Sequence, residues 1–269
     1  MRGGFAEIAA EAILLAGGGR ALLLQLARPA VAQGVAEHSD FERDPLRRLV
    51  GTLTYLYVLA FGTEEEISRV AREVGAAHRP VHRSDGPVPY DARDTGLQLW
   101  VAATLYETTV QVTELVLGRL TEETADEVYR QSARIGTALG MPAADWPIDR
   151  AAFRRYWDET VAGLVVSDAA RRVAWSVLHP HNVPVAVRIA MPLARLITAG
   201  LLPDTIAAGY RVRWTPRWRR RYARAIAVLR AVYPQVPPAL RRLPSRIVLA
   251  RYRRSAAAPA PGRASSDRT

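Results

Sequence analysis

The stretch that decides the fold is DPLRRLVGTLTYLYVLAFGTEEE, residues 44–66. It carries leucines at every third or fourth position, which is the spacing of one face of an α-helix: Leu46, Leu49, Leu53, Leu56 and Leu59. Asp44 followed by Pro45 is typical of a helix start. The aspartate side chain accepts hydrogen bonds from the free N–H groups of the first turn, and proline has no backbone N–H that would need an acceptor there. Gly62 is typical of the position just beyond a helix end. The stretch therefore predicts one helix from Pro45 to Phe61.

Helical patterns continue along the rest of the chain. Thr63 and Glu66 have the spacing of a capping box, so a second helix is predicted to start there. That helix should end near His78, because Pro80 disfavours helical backbone at the residue before it. Residues 83–91 read as a loop, and further helices are predicted at 94–117, 121–140, 149–166, 168–178, 184–200 and 215–233.

No run of alternating apolar and polar residues is long enough to predict a substantial β-strand. We therefore predict an all-α fold, with a single domain of about ten helices over residues 1–254. Residues 255–269, SAAAPAPGRASSDRT, have the low complexity of a disordered tail.

Two residue types are missing from the 269 residues: the chain has no cysteine and no lysine, so all 37 cationic side chains are arginine. The missing cysteine excludes disulfides, thiolate nucleophiles and cysteine-ligated metal centres. The missing lysine excludes a P-loop lysine, a Schiff-base lysine and a lysine general base. No uncharged apolar run reaches the ~18 residues of a membrane span, so a soluble cytoplasmic protein is the default expectation.

The net charge of +11 is unevenly distributed along the chain. Residues 1–210 contain 21 arginines and 25 acidic residues, whereas residues 211–269 contain 16 arginines and only Asp267 as an acid. Tryptophan and tyrosine are interleaved with arginine in the part 211–254, a composition that suits peripheral contact with an anionic membrane. The same composition can grip nucleic acid, although no recognised nucleic-acid motif is present. The alternative is a solvated helix face whose arginine stems cover apolar surface.

Two short motifs favour a structural interpretation over a chemical one. Gly17-Gly18-Gly19-Arg20 lies between helical stretches and matches neither a dinucleotide-binding nor a phosphate-binding loop, so it predicts a turn between helices. His78 and His82 have the spacing of zinc ligands on one helix face, but Arg79 stands where a zinc hydrolase needs glutamate.

Seven segments, read together, resemble one known family. They are LLLQLARPAVAQGVAEHSDFERDP (22–45), RLVGTLTYLYVLAFGT (48–63), HRPV (78–81), YDARD (90–94), LWVAATL (99–105), AGLLPDTIAAGYRVRW (199–214) and PPALRRLP (237–244). In this order they resemble the haem-dependent oxygenases that include the MpaB-type prenyl-chain-cleaving oxygenase and the rubber oxygenases, also called latex clearing proteins. The resemblance spans about residues 11–250 and implies an all-α fold that holds haem b between helices.

The resemblance also implies candidate site residues. The family's His-x-x-Val setting puts the iron ligand at His78, with His82 as the next candidate for the haem pocket. The family's distal Arg-x-x-Lys-Thr pattern falls on Arg48 and Thr52, but the lysine position is Gly51, which predicts an open distal site. Thr104 looks like a further pocket residue. Two departures put substrate choice in doubt: Arg28 and Ala102 stand where many members have histidine.

The chemistry of these residue types agrees with such roles. Neutral imidazole is a good iron ligand, and Arg48 and Thr52, four residues apart, share a helix face. The arginine can pair with a haem propionate or stabilise polarised dioxygen, and the threonine can donate a hydrogen bond there. The alternative is that His78 is a satisfied loop histidine and Arg48 a surface cation.

Three functions remain open from the sequence. The first is a haem b-dependent oxygenase, an oxidoreductase that uses dioxygen on an apolar, unsaturated substrate such as an isoprenoid or natural product. The second is a haem protein without oxygenase activity: a carrier, a sensor or a peroxidase. The third is a haem-free helical module that binds a ligand or a membrane.

Overall fold

The structure is a computed structural model, and it describes residues 4–38 and 45–257. Its α-helices are α1 (Phe5–Ala9), α2 (Gly18–Leu26), α3 (Pro29–His38), α4 (Pro45–Phe61), α5 (Glu64–His78), α6 (Thr95–Leu117), α7 (Glu122–Ser132), α8 (Arg134–Thr137), α9 (Arg150–Ala162), α10 (Asp168–Leu178), α11 (Val185–Leu201), α12 (Asp204–Gly209), α13 (Pro216–Val232), α14 (Pro238–Arg241) and α15 (Leu243–Ala257). The short 3-10 helices are η1 (Ala12–Gly17), η2 (Ala143–Asp145) and η3 (Tyr233–Gln235). The fold is all-α, as the sequence predicts.

The two helices predicted from the leucine-rich stretch are confirmed. Helix α5 begins with a full capping box: the Thr63 hydroxyl accepts from the Glu66 N–H at 3.2 Å, and the Glu66 carboxylate accepts from the Thr63 N–H at 2.9 Å. The helix ends at His78, as the following proline predicts. The predicted cap at Asp44 lies outside the described residues.

Several predicted segments are divided or extended. The stretch predicted as one helix over 121–140 is split at Ala133 into α7 and α8, and α7 ends where the Ser132 hydroxyl bonds back to the Val128 carbonyl. The predicted loop contains a small antiparallel ladder of β1 (His82–Arg83) and β2 (Tyr90–Asp91). Helix α15 includes Ser255 and runs to Ala257, and the rest of the predicted tail lies outside the described residues.

Helix α6 lies at the centre of the core. Its Trp100 is fully buried, stacks on Trp157 of α9 at 5.5 Å and donates from its indole N–H to the Leu24 carbonyl of α2 at 3.1 Å. Tyr106, one turn and a half further on, makes an edge-on contact with Phe153 at 4.8 Å. Helix α6 is apolar around most of its circumference. It can therefore pack against both α2 and α9.

The glycine run was predicted to be a turn between helices, but it is helical throughout and lies where one helix passes directly into the next. Helix η1 ends at Gly17 and α2 begins at the next residue. A Cβ on Gly17 would lie 2.5 Å from Cγ2 of Thr108, and a Cβ on Gly19 would lie 2.1 Å from Oγ1 of Thr198. Glycine is therefore required because α6 and α11 approach this junction too closely for a side chain.

Arg20, directly after the glycines, is only 2% exposed. Its Nε donates to the Leu201 carbonyl at 2.9 Å, its Nη1 donates to the Thr108 hydroxyl at 2.6 Å, and its guanidinium lies 5.5 Å from the centre of the Trp157 ring. Burial lowers the pKa of Arg20 to about 10, and the nearby Glu107 opposes that shift. This side chain joins α2, α6, α9 and α11 through polar and ring contacts.

A buried carboxylate connects the two ends of the described chain. Glu11 is 1% exposed and accepts a hydrogen bond of 2.8 Å from the Tyr233 hydroxyl. Its two oxygens lie 3.5 Å from Nε of Arg241 and Nε of Arg242, respectively. The N-terminal helices are therefore tied to η3 and α14 by a desolvated group of one carboxylate and two arginines. Among the described residues, no helix is both long and apolar enough to cross a membrane.

Candidate functional site

His78 is the last residue of α5, and its side chain is half-buried. Neither of its ring nitrogens has a hydrogen-bond partner within residues 4–38 and 45–257. Three other histidines are engaged: Nε2 of His38 with the Tyr90 hydroxyl at 2.9 Å, Nδ1 of His82 with the Arg79 carbonyl at 3.0 Å, and Nδ1 of His179 with the Trp175 carbonyl at 3.1 Å. His78 is thus a partly desolvated imidazole whose nitrogens are available to a ligand.

The pKa of His78 is lowered, first by desolvation and then by the positive charge of Arg48. The imidazole is therefore neutral at pH 7, which is the form that coordinates a metal. Arg48 belongs to the first turns of α4, and surrounding protein also lowers the pKa of its guanidinium by desolvation, although the side chain still reaches solvent. The structure thus brings together two residues, 30 positions apart, that the sequence assigned to one site.

The amino-terminal half of α4 is uncovered. Leu49 and Val50 are 45% and 42% exposed, and Thr52 is exposed one turn after Arg48. A Cβ built on Gly51 meets no atom of the described residues within 4 Å. An apolar surface with an open position at Gly51 therefore lies on the same helix as Arg48, whose charge acts on His78.

Thr104 lies in the core of α6, with no exposed surface. Its hydroxyl donates to the Val101 carbonyl at 2.8 Å and accepts from the Gln25 side-chain amide at 3.0 Å. With both a donor and an acceptor partner, this hydroxyl tethers α6 to α2. His82, by contrast, is exposed on β1.

The two positions that depart from the family pattern have structural partners of their own. Nη1 of Arg28 donates to the Gly96 carbonyl at 3.2 Å, at the start of α6. Ala102 is fully buried in the same helix. Neither supplies an imidazole, and the described part of the chain contains no group of three or more metal-ligating side chains.

The sequence did not reveal a polar cluster on α3 and the hairpin that follows His78. The Tyr90 hydroxyl donates to Glu37 Oε2 at 2.5 Å, and Arg83 lies 2.8 Å from the same carboxylate. The hydrogen bond from Tyr90 is the main reason that the pKa of Glu37 is lowered, while the same bond raises the pKa of Tyr90. No spacing signal could have shown this cluster, because residues 37 and 90 meet only through the hairpin. Its contacts fix the segment that leaves α5 at His78.

Replacing Arg48 with methionine should raise the pKa of His78 in the haem-free protein, because a positive neighbour that disfavours protonation is removed. The folded-state pKa of His78 lies below the ordinary value of about 6.5, which applies to the unfolded chain. The neutral His78 therefore contributes fully to the free energy of unfolding above pH about 6.5, and this contribution is lost as the pH falls through the folded-state pKa. NMR titration of the His78 ring protons measures the shift. Arg79→Met is the control, and an unchanged His78 pKa in Arg48→Met would contradict the electrostatic effect of Arg48 on His78.

Comparison with known proteins gives this arrangement a context. Residues 6–231 match the family described as ER-bound oxygenase mpaB/B'/Rubber oxygenase, catalytic domain. An uncharacterized protein of Mycobacterium bovis and an uncharacterized protein of Mycobacterium tuberculosis are each 35% identical over 222 residues, which cover 80% of this chain and 87% of the relative. No solved structure matches the chain.

Proposed function

Because this chain belongs to the family of mpaB and rubber oxygenases, we propose that it is a haem b-dependent oxygenase with His78 as its iron ligand. The observation that carries the proposal is the imidazole of His78: half-buried, neutral, without a hydrogen-bond partner among the described residues, and within range of the positive charge of Arg48. A histidine with a purely structural role would be expected to have a protein partner for at least one ring nitrogen, as His38, His82 and His179 do.

Residues on the helix that carries Arg48 fit a flat apolar cofactor with anionic edges. Leu49 and Val50 offer apolar surface that is uncovered in the protein alone, and contact with a porphyrin face would remove it from water. Arg48 offers a guanidinium of opposite charge to a haem propionate. Gly51 leaves room on the same helix, since a Cβ there would touch no atom of the described residues within 4 Å.

When bound, haem supplies the activation of dioxygen. The protein residues then have separable tasks: His78 holds the cofactor, Arg48 stabilises negative charge, and Thr52 offers a hydroxyl donor one turn away. The proposed substrate is apolar and unsaturated. Cleavage of its carbon–carbon double bond by one dioxygen molecule yields two carbonyl groups and needs no further reductant.

Absorption spectroscopy of the full chain, reconstituted with hemin, tests the cofactor. We expect a Soret band that survives gel filtration, and its absence from folded protein would overturn haem binding and leave a haem-free module. Oxygen consumption with an isoprenoid substrate then tests the activity. A stable Soret band without oxygen consumption across such substrates would instead indicate a carrier, a sensor or a peroxidase.

Gly51→Lys should introduce the amine that the family's Arg-x-x-Lys-Thr pattern carries at this position. In the reduced wild-type protein, carbon monoxide is expected to bind readily, because no side chain occupies the Gly51 position. The lysine should slow or block this binding, whereas the matched variant Gly51→Ala should not. Both variants should be more stable by about 0.5–1 kcal/mol, since glycine inside a helix is unfavourable. Equal carbon monoxide binding in all three proteins would show that Gly51 is not at the distal side.

A further inference from the structure

Helix α13 carries a dense basic surface. Its six arginines are exposed, and none forms an ion pair with a carboxylate of the described residues: Arg217, Arg219, Arg220, Arg221, Arg224 and Arg230. Residues 211–257 contain no aspartate or glutamate at all. The charge of this helix is therefore not neutralised locally, and it favours an anionic partner.

The aromatic residues of this region face inward. A Cβ on Gly200 of α11 would lie 2.4 Å from the ring of Tyr222, which shows how closely that ring packs on α11. The ring of Trp214 lies 5.8 Å from that of Tyr222 and 6.5 Å from that of Trp218, measured between ring centres. These rings hold α13 against the body of the protein. Because these rings are engaged with one another and partly covered, they offer little free surface for stacking on nucleic-acid bases, which is the contact that arginine interleaved with aromatics suggested in the sequence.

Apolar side chains take the place of the aromatics on the outer surface. Val228 and Val232 are 60% and 55% exposed, one turn apart, near the carboxyl end of α13. With Ala227 and Ala231, which are also exposed, they follow the arginines of the first turns on the same outward side. The outward face of α13 thus presents cationic groups first and exposed apolar groups next, so one surface offers contacts both to anionic headgroups and to the boundary of the acyl chains.

We propose that the outward face of α13 docks onto an anionic phospholipid bilayer. The arginines contact headgroup phosphates, and the two valines enter the boundary with the acyl chains. Nucleic acid is the less suitable partner, because it would leave the exposed valines uncovered and would meet aromatic rings that are already partly covered by the protein. Docking needs no haem, so its failure and the failure of the proposed oxygenase activity are distinguishable. It would hold the protein where apolar substrates partition.

Sedimentation of the full chain with lipid vesicles tests the charges. Vesicles containing about one quarter phosphatidylglycerol should bind the protein, with binding weakened by molar salt, and pure phosphatidylcholine vesicles should not. Arg220→Gln/Arg221→Gln/Arg224→Gln should lower the partition coefficient on the order of 100-fold, since each basic residue near an anionic surface contributes about fivefold. The control Arg72→Gln/Arg155→Gln/Arg172→Gln removes the same charge from exposed positions elsewhere. An equal loss of vesicle binding in both triple variants would contradict the proposal that α13 is the docking surface.

A second pair of variants separates bilayer from polyanion. Val228→Gln/Val232→Gln should weaken vesicle binding, whereas Ile148→Gln/Val165→Gln, which alters exposed apolar residues outside α13, should not. Circular dichroism and thermal unfolding confirm that each variant is folded. If the protein bound duplex RNA or DNA as tightly as vesicles, and the α13 valine variant left vesicle binding unchanged, the helix would be a general polyanion site and the proposal would be wrong.

Discussion

His78→Ala is expected to leave the protein folded and without a Soret band after reconstitution with hemin and gel filtration. The imidazole is the only protein group assigned to hold the iron, and alanine offers no lone pair. His82→Ala is the matched control, because His82 is exposed four residues later and one of its ring nitrogens is already bonded to the Arg79 carbonyl. That variant should keep the band at its wild-type position and intensity.

The effect on stability separates ligand loss from unfolding. His78 is half-buried at a helix end and has no hydrogen bond within the described residues, so its replacement should change the free energy of unfolding by only about 0.5 kcal/mol. An unchanged thermal transition of the haem-free protein with a lost Soret band is the expected pair of results. If His78→Ala kept a wild-type spectrum while His82→Ala lost it, the assignment of the ligand would move to His82.

Arg20→Ala should have the largest effect on stability, lowering the free energy of unfolding by about 3–5 kcal/mol. The substitution leaves the buried Leu201 carbonyl without its donor and opens a cavity against Trp157. For a chain of this size the midpoint of thermal unfolding should fall by on the order of 10 °C. Calorimetry or thermal circular dichroism gives the value.

The matched control is Arg155→Ala, which removes the same side chain from an exposed position and should cost within about 0.5 kcal/mol. Arg20→Lys adds a further comparison: lysine keeps the charge but has no planar guanidinium to bond two acceptors at once, so an intermediate loss is expected. Equal stability of Arg20→Ala and Arg155→Ala would mean that the hydrogen bonds of Arg20 contribute nothing net.

The predictions that rested on local signals are the ones the structure confirms. The Thr63 cap, the end of α5 at His78 and the bounds of α10 depend on residues within one or two turns, which the sequence displays directly. The prediction of a single helix over 121–140 was wrong, because the periodicity continues through Ala133 although the helix does not. Helix α12 was too short to be predicted from periodicity.

The candidate site was predictable only in part, for the same reason. The family resemblance placed His78 and Arg48 at one haem site, but it did not show that the positive charge of Arg48 lowers the pKa of His78. That effect is seen only in the folded chain. The hydroxyl of Thr104 is engaged by Gln25, 79 residues away, so its role as a tether has no sequence signal. Likewise, the sequence displays the arginines and aromatics of α13, but it does not show which side of the helix faces the protein. The close packing of Tyr222 on Gly200 determines that orientation.

The carboxylate of Glu11 sets a lower limit on the length of an independently folding unit. The family match ends at residue 231, yet Tyr233 donates a hydrogen bond to this carboxylate, and Arg241 and Arg242 neutralise its charge. A fragment cut at the homology boundary would keep the buried negative charge and lose its cations, which is a costly arrangement. The family match therefore ends before the residues that neutralise the buried carboxylate. The segment that follows residue 231 is needed to complete this ion pair, so it is part of the folded domain.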